Sequence, residues 1–222
     1  MRINKYIALA TGISRRSADT AIAQGAVRVN DAPTHPGQDI SEADRVTVNG
    51  KEIHLPKAFT TIMLNKPVGY VCSRDGQGSK TIYDLLPKEL HHLKPVGRLD
   101  KDSSGLLLLS NDGALANSLT HPTYVKTKIY EVALSAPLTK LDWSSIHSQG
   151  IELKDGLSKL FLERREPFDN KHWLVTMHEG RNRQIRRTFA ALGYNVIALH
   201  RTQFGTYSLA NLAEGNYSPI ST

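Results

Sequence analysis

The sequence predicts an α+β protein in which a small α/β module precedes a larger domain with helices on a mainly antiparallel sheet. Two observations carry this prediction. Helical apolar spacing and short alternating strands follow one another near the N-terminus, and a glycine-bounded leucine run at 106–109 is typical of a strand buried on both faces. The length of 222 residues accommodates both units, with a core large enough for an enzyme.

Composition narrows the classes of partner and compartment. Lys and Arg outnumber Asp and Glu by 28 to 21, which favours a polyanionic partner, nucleic acid first of all. Cys72 is the single cysteine, so we expect neither a disulfide nor a thiolate zinc site, and a cytoplasmic location fits best. No apolar stretch reaches the roughly 20 residues of a membrane helix and the first residues do not resemble a signal peptide, so we expect a soluble protein without a membrane partner.

The N-terminal segment predicts two short helices. Ile3 and Ile7 lie at helical spacing on one face of a first helix that stops at Gly12. Ser14 is a favourable N-cap for a second helix that reaches about Gln24.

Short strands follow these helices. Valines alternate with outward residues at 27–29 and recur at 46–48, and Asn49-Gly50 is a strong hairpin turn signal. We therefore divide the chain into a module at 1–50, a linker at 51–58 and a second, larger domain at 59–222.

The second helix carries Arg15 and Arg16 in its first turn. Cations there oppose the helix macrodipole by a few tenths of a kcal/mol each, whereas a bound phosphate would be favoured. The pair therefore suggests an RNA contact, and a solvated basic pair tolerated by salt screening remains the alternative.

The stretch RINKYIALATGISRRSADTAIAQGAVRVN resembles the S-four RNA-binding domain over about the first 50 residues. In that family the second helix and its preceding turn face RNA. The resemblance implies RNA contacts for Arg15 and Arg16, with Arg2 and Lys5 in support. Such modules recognise RNA structure more than sequence, and they carry no chemistry.

Two carboxylates stand directly before the leucine run in GRLDKDSSGLLLLSNDG, residues 97–113. Asp100 and Asp102 fall in the turn that enters the predicted strand, where a rigid support can hold a carboxylate at the rim of a cleft. Asp and Ser are also ordinary turn formers, so this segment by itself leaves both interpretations open. After the strand, Asn111 or Asp112 can cap a helix that ends before His121-Pro122.

The strand predicted in KTKIYEVAL, residues 126–134, has one face that changes from basic to apolar through Tyr130. The tyrosine can stack on a base, with stacking worth about 1–3 kcal/mol, or belong to the core.

The densest positive charge follows, with arginine at four of the seven positions 181–187. On a helix from about Asn182 to Leu192, Ile185 and Phe189 belong to a buried stripe. Arg186 borders that stripe and can lean toward a pocket carboxylate, whereas Arg183 and Arg187 can meet phosphates. Because the run contains no acidic residue, an anionic partner is the better account of it.

The segments GRLDKDSSGLLLLSNDG, KIYEV and EGRNRQIRR, together with NKPVGY, resemble the motifs of the RsuA-like family of bacterial ribosomal-RNA pseudouridine synthases. The resemblance implies that Asp100 is the catalytic aspartate, that Tyr130 packs against the target uracil and that Arg186 pairs with Asp100. It also implies ribosomal RNA as the partner and no cofactor or metal. The basic residues expected to contact RNA in this domain are Arg98, Lys101, Lys128, Arg181, Arg183 and Arg187.

The family reaction breaks the uridine C1′–N1 bond, turns the uracil and joins C5 to C1′. The aspartate either attacks C1′ or acts as a base at C2′, and the sequence leaves this first step open. Two other functions fit the sequence less well. A glycosidase pair of Asp100 and Asp102 leaves little room for a sugar, and a non-catalytic RNA-binding or ribosome-assembly protein would have little need of the acid. The sequence does not indicate which uridine is modified. We expect a monomer.

Overall fold

The computed structural model of the protein describes residues 1–41, 43–56, 58–121 and 123–220. Four parts of the sequence predictions lie outside the described residues: Glu42 of the module, Lys57 of the linker, Pro122 at the predicted helix end, and the last two residues, 221–222. None of the described helices is long and apolar enough to cross a membrane.

The N-terminal module contains two helices, α1 (Ile3–Thr11) and α2 (Arg15–Ala23), and four short strands, β1 (Val27–Val29), β2 (Ala32–Pro33), β3 (Val46–Val48) and β4 (Lys51–Glu52). Helix α1 ends at Gly12, whose φ of 78° is left-handed. Helix α2 begins as predicted, because the Ser14 side chain accepts a hydrogen bond of 2.9 Å from the Ser17 amide. Ile3, Ile7, Ala18 and Ile22 form a small core with the strand valines.

The four strands form one antiparallel sheet in the order β2-β1-β3-β4. Asn49 and Gly50 both have positive φ, 51° and 76°, as a two-residue hairpin turn requires. The second arm of that hairpin is Lys51–Glu52, so the sheet of the module extends into the stretch predicted as a linker. A hairpin turn joins two paired strands, and the predicted boundary at residue 50 fell between them.

The larger unit is built on a nine-stranded sheet. Its strands are β5 (Thr61–Lys66), β6 (Lys94–Val96), β7 (Ser104–Ser110), β8 (Lys128–Leu134), β11 (Phe161–Arg164), β12 (His172–Met177), β13 (Val196–Phe204), β14 (Tyr207–Ser208) and β15 (Tyr217–Pro219). A separate hairpin contains β9 (Ile151–Leu153) and β10 (Gly156–Ser158). The helices are α3 (Gly113–Thr120), α4 (Lys140–Ser144) and α5 (Gln184–Ala190), with short 3-10 helices at Ile82–Leu85 and Lys88–Leu90 and a π-helical turn at Ser145–Gln149.

The main path of the sheet runs β11-β12-β8-β13-β7-β5-β15, with β14 on β13 and β6 on β7. One described pair in it is parallel, β13 with β7, and the other pairs are antiparallel, which confirms the predicted fold class. The leucine run lies in β7 as predicted. Leu107 and Leu109 join the core on one face, and Leu106 and Leu108 join the core on the other.

The parallel contact is short and needs a glycine. It joins His200 to Ser104 and Arg201 to Gly105. Gly105 has a φ of 107°, and a Cβ on it would lie 2.3 Å from the Arg201 carbonyl oxygen. A glycine therefore allows the two halves of the sheet to meet at this point.

Candidate active site

The carboxylates Asp100 and Asp102 lie in the turn between β6 and β7, and a buried lysine fixes the backbone of that turn. Lys66 is fully buried at the end of β5. Its Nζ donates hydrogen bonds to the carbonyl oxygens of Ser103 at 2.6 Å, Pro67 at 2.9 Å and Asp100 at 3.1 Å. Burial lowers the pKa of Lys66, and nearby anionic groups, Asp100 and Asp102 among them, oppose that shift. The NKPVGY segment thus acts as the support of the turn.

Further contacts from Gly69 and Cys72 hold the backbone of the same turn. The Gly69 amide donates to the carbonyl oxygen of Lys101 at 2.7 Å. Cys72 Sγ both donates to the Leu99 carbonyl oxygen and accepts from the Leu99 amide, at 3.3 and 3.4 Å. The backbone from Leu99 to Ser103 is therefore fixed at several points, while 35% of the Asp100 side chain stays exposed.

Arg183 is the arginine that approaches both carboxylates. Its Nη1 and Nη2 donate to Asp102 Oδ1 and Oδ2 at 3.0 and 2.9 Å, a bidentate pair. The same Nη1 lies 3.5 Å from Asp100 Oδ2. Arg183 is not a helical residue, because it caps α5 with left-handed φ and ψ of 47° and 33°. This backbone bend directs its side chain toward the turn.

The predicted ion pair between Arg186 and Asp100 is not formed in the structure. Arg186 donates to the carbonyl oxygens of Asp102 and Val196, both at 2.7 Å, and its Nε lies 3.3 Å from Asp102 Oδ2. Only 12% of its side chain is exposed. The guanidinium of Arg186 is instead bound by Val196 and Asp102, and Arg183, which precedes α5 (Gln184–Ala190), is the arginine beside Asp100.

Asp102 is therefore the carboxylate enclosed by guanidinium groups. The hydrogen bonds from Arg183 lower its pKa below the ordinary value, and the positive charges of Arg186 and Arg183 add to that shift against the opposing effect of burial. A carboxylate held by two arginines is not a free partner for Asp100 across a sugar. This geometry disfavours the glycosidase alternative.

A cleft of about 930 Å³ opens beside the turn. Six of the predicted site residues line it: Arg98, Asp100, Lys128, Tyr130, Arg181 and Arg183. Tyr130 lies on β8 with 8% of its surface exposed, on the same face as Val132 and Leu134, as the alternation of the strand predicts. The lining has six cationic side chains and two carboxylates, so the cleft is basic overall.

The remaining predicted residues lie elsewhere. Lys101, Arg186 and Arg187 do not line the cleft, and Lys101 donates to Ser79 Oγ at 3.0 Å. The basic residues of the N-terminal module do not line the cleft either. They are exposed on the module: Arg2, Lys5, Arg15 and Arg16.

The arginine run is less available to phosphates than its sequence indicated. Arg187 makes a bidentate pair with Asp155 at 2.9 and 2.8 Å. Arg181 binds the Asp155 carboxylate and the carbonyl oxygens of Asp155, Gly156 and Leu157 at 2.8 to 3.0 Å. Their shared acidic partner, Asp155, lies in the turn between β9 and β10, which is remote in sequence. Local sequence therefore gave no sign that Asp155 compensates these two charges.

Sequence reasoning missed Arg201, which lines the cleft from β13, directly opposite Tyr130 in the strand register. It is 3% exposed. Its Nε donates to the Leu106 carbonyl oxygen at 2.8 Å, its guanidinium carbon lies 4.8 Å from the centre of the Phe204 ring, and its Nη2 has no acceptor among the described residues. Its immediate sequence neighbours, His200, Thr202 and Gln203, are polar, so the sequence gave no sign that this arginine is buried.

Comparison with known proteins relates this geometry to an enzyme family. The family described as RNA pseudouridylate synthase matches residues 60–191. The chain is 35% identical over 224 residues to ribosomal small subunit pseudouridine synthase A of Pasteurella multocida, with coverage of 100% of this chain and 96% of the relative. It is 36% identical over 221 residues to ribosomal large subunit pseudouridine synthase B of Bacillus subtilis, with coverage of 97% and 90%.

This chain belongs to the RNA pseudouridylate synthase family. A solved structure described as a crystal structure of pseudouridylate synthase matches it with a TM-score of 0.70 and 34% identity, covering 100% of this chain and 96% of that one. The predicted family and enzyme class, an isomerase, are therefore confirmed. The matched region of the synthase contains the turn of Asp100, Tyr130 and the arginine run, and it ends before Arg201.

Proposed function

We propose that the synthase converts a uridine of ribosomal RNA to pseudouridine and that Asp100 is the carboxylate the reaction requires. One observation carries this proposal: the side chain of Asp100 is partly exposed in a basic cleft while the backbone around it is fixed by Lys66. A reactive group on a rigid support is what positioned catalysis needs. The relatives named above act, by their names, on the small and large ribosomal subunits.

The chemistry assigns distinct roles to the residues of the cleft. The C1′–N1 bond of uridine breaks, a C5–C1′ bond forms, N1 gains a proton and C5 loses one, so the reaction needs no co-reactant. Asp100 either bonds to C1′ or removes the C2′ proton in the first step. Tyr130, in a strand beside Asp100's cleft, would pack against the uracil ring while it turns.

The arginines act on the carboxylates in two ways. Arg183 Nη1, 3.5 Å from Asp100 Oδ2, places a positive charge beside that carboxylate and orients it. Arg186 acts as a positioning residue, because it binds the Asp102 carbonyl oxygen within the same turn. The exposed basic residues of the N-terminal module and Arg98 would bind the RNA backbone, which offsets the few kcal/mol that extrusion of a base costs.

The test is modification of unmodified rRNA transcripts. Small- and large-subunit transcripts are incubated separately with the synthase, and pseudouridines are mapped by carbodiimide adduct formation and primer extension. We expect a new pseudouridine at one site in one transcript, and none with Asp100→Asn. Retained RNA binding by Asp100→Asn identifies loss of chemistry rather than of folding. A wild-type protein that modifies neither transcript, or an Asp100→Asn variant with normal rate, would overturn the proposal.

A further inference from the structure

A row of four aromatic rings leads from the main core to the mouth of the cleft. We call Trp143, His147, Phe161 and His178 the aromatic row. The Trp143 and His147 rings are stacked, with centroids 5.1 Å apart and an interplanar angle of 14°. The Phe161 ring packs edge-on against both histidines. Its centroid lies 5.7 Å from that of His147, with an interplanar angle of 89°, and 6.0 Å from that of His178, with an angle of 64°.

The row is fixed at its inner end and open at its outer end. Trp143 packs against the main core, and its indole N–H donates to the Leu162 carbonyl oxygen at 3.4 Å. Phe161 and His178 line the cleft that also contains Asp100. Phe161, on the edge strand β11, keeps 45% of its surface exposed. A half-exposed ring in a supported row is preorganised for a ligand, which lowers the entropy cost of binding.

The surroundings indicate what kind of ligand fits. The cleft is lined by six cationic side chains and by the carboxylates Asp100 and Glu179, and Glu179 is itself within 3.3 Å of Arg181. The exposed Lys159 is two residues from Phe161 and lines the same cleft. An anionic polymer with flat apolar rings satisfies both features, since its phosphates meet the cations and its bases stack on the aromatics.

The size of the cleft leaves room for more than the reacting nucleoside. Its volume of about 930 Å³ is near the upper end of the roughly 300–1,000 Å³ that is usual for small-ligand sites. Phe161 and Asp100 therefore line one continuous space.

We propose that the aromatic row is a stacking site for an unpaired base that flanks the target uridine on the same RNA strand, with Phe161 as the contact ring. The inference rests on the proposed function, because it takes RNA as the substrate. It adds a preference that Asp100 cannot supply: the region next to the target must be single-stranded for its base to reach Phe161.

The experiment measures binding of a fluorescently labelled single-stranded oligouridylate by anisotropy at fixed salt. We expect Phe161→Ala and Phe161→Leu to weaken binding by at least about fivefold, and Phe161→Tyr to retain it, because stacking needs a ring. Phe168→Ala is the matched control. Phe168 lies on the turn of the same β11–β12 hairpin, is 95% exposed and does not line the cleft, so its removal should leave affinity unchanged. Melting temperatures of all four variants exclude unfolding.

Several outcomes would overturn the inference. Unchanged affinity of Phe161→Ala, or an equal loss in Phe168→Ala, removes the aromatic row as an RNA site. Concentration-dependent self-association that Phe161→Ala abolishes, with RNA affinity unchanged, makes the row a protein interface. Pseudouridine formation by the wild type is measured in parallel, so a failed stacking site on an active synthase is distinguished from a failure of the proposed function.

Discussion

Arg183 and Asp102 form a bidentate ion pair, with hydrogen bonds of 3.0 and 2.9 Å, that joins the start of helix α5 to the turn carrying Asp100. The two residues are 81 positions apart in sequence. Because Arg183 also lies 3.5 Å from Asp100, Asp102 fixes the position of the charge that acts on its neighbour. The two carboxylates of the turn thus have different tasks, and the following predictions separate them.

The first prediction compares Asp100→Asn with Asp102→Asn. Asp100→Asn should lower kcat by at least about a thousandfold, as loss of an essential carboxylate does. Asp102→Asn keeps Asp100 but removes the bidentate partner that positions Arg183. We therefore expect a smaller decrease in kcat, about 10- to 100-fold, because Arg183 is misplaced. The measurement is tritium release from RNA labelled at uridine C5. Equal losses in the two variants would contradict the division of tasks.

The second prediction concerns the pH dependence of the Asp102 pair. The pKa of Asp102 is lowered in the folded state, so the pair stabilises the fold fully above the ordinary carboxyl pKa, and this stabilisation is lost as the pH falls through the lowered pKa. The Tm of the wild type should therefore exceed that of Asp102→Asn at pH 7, and the difference should shrink at acidic pH. The side chain is 45% exposed, so salt screening keeps the difference small. A difference that grows on acidification would contradict the mechanism.

The third prediction tests the lysine beneath the turn. Lys66→Met removes three hydrogen bonds to carbonyl oxygens from a fully buried site. We expect the free energy of unfolding to fall by about 1–3 kcal/mol and kcat to fall by about tenfold or more, because the Asp100 turn is released. Denaturant unfolding and tritium release measure the two effects.

Lys101→Met is the control for Lys66→Met. Lys101 is an exposed lysine in the same turn, bonded to Ser79, and its loss should change stability by less than about 0.5 kcal/mol. Similar destabilisation by both substitutions would show that charge, rather than buried hydrogen bonding, holds the turn.

The fourth prediction concerns the contact between the two halves of the sheet. Gly105→Ala places a Cβ 2.3 Å from the Arg201 carbonyl oxygen and 2.5 Å from the Arg201 amide nitrogen, at a φ of 107°. We expect destabilisation of at least about 3 kcal/mol, or failure to fold, because both neighbours are backbone. In Gly113→Ala the new Cβ lies in α3 and meets no atom within 4 Å from the rest of the described structure outside its own helix turn and chain neighbours. The variant should therefore be as stable as the wild type or slightly more stable. Thermal melting compares them.

The fifth prediction distinguishes two arginines that were both expected from the sequence to contact RNA. Arg98 is exposed in the cleft and makes no ion pair among the described residues, whereas Arg187 lies outside the cleft and is paired with Asp155. Arg98→Ala should weaken RNA binding and reduce the salt slope of log K by about 1, with Tm unchanged. Arg187→Ala should lower Tm with RNA affinity and salt slope unchanged. The reverse pattern would restore the phosphate role for Arg187.

Much of the fold was predictable because local rules governed it. The Ser14 cap, the Asn49-Gly50 turn and the leucine strand at 106–109 depend on residues adjacent in sequence, and all three form as predicted. The strand of Tyr130 likewise follows from alternation. The errors lie where the chain departs from regular geometry: β4 beyond the predicted module boundary, and Arg183, whose left-handed backbone shortens α5.

The sequence by itself determined the fold class, the family, the position of Asp100 before a buried strand, and the basic character of its surroundings. Only the tertiary structure decided how those charges are paired: Arg183 and Arg186 with Asp102, Arg187 with Asp155, and Lys66 with the carbonyl oxygens of the turn. The physical reason is the range of the forces. Hydrophobic periodicity and capping act within a few residues, whereas an ion pair or a buried hydrogen bond joins whichever groups the packed sheet brings within about 3 Å.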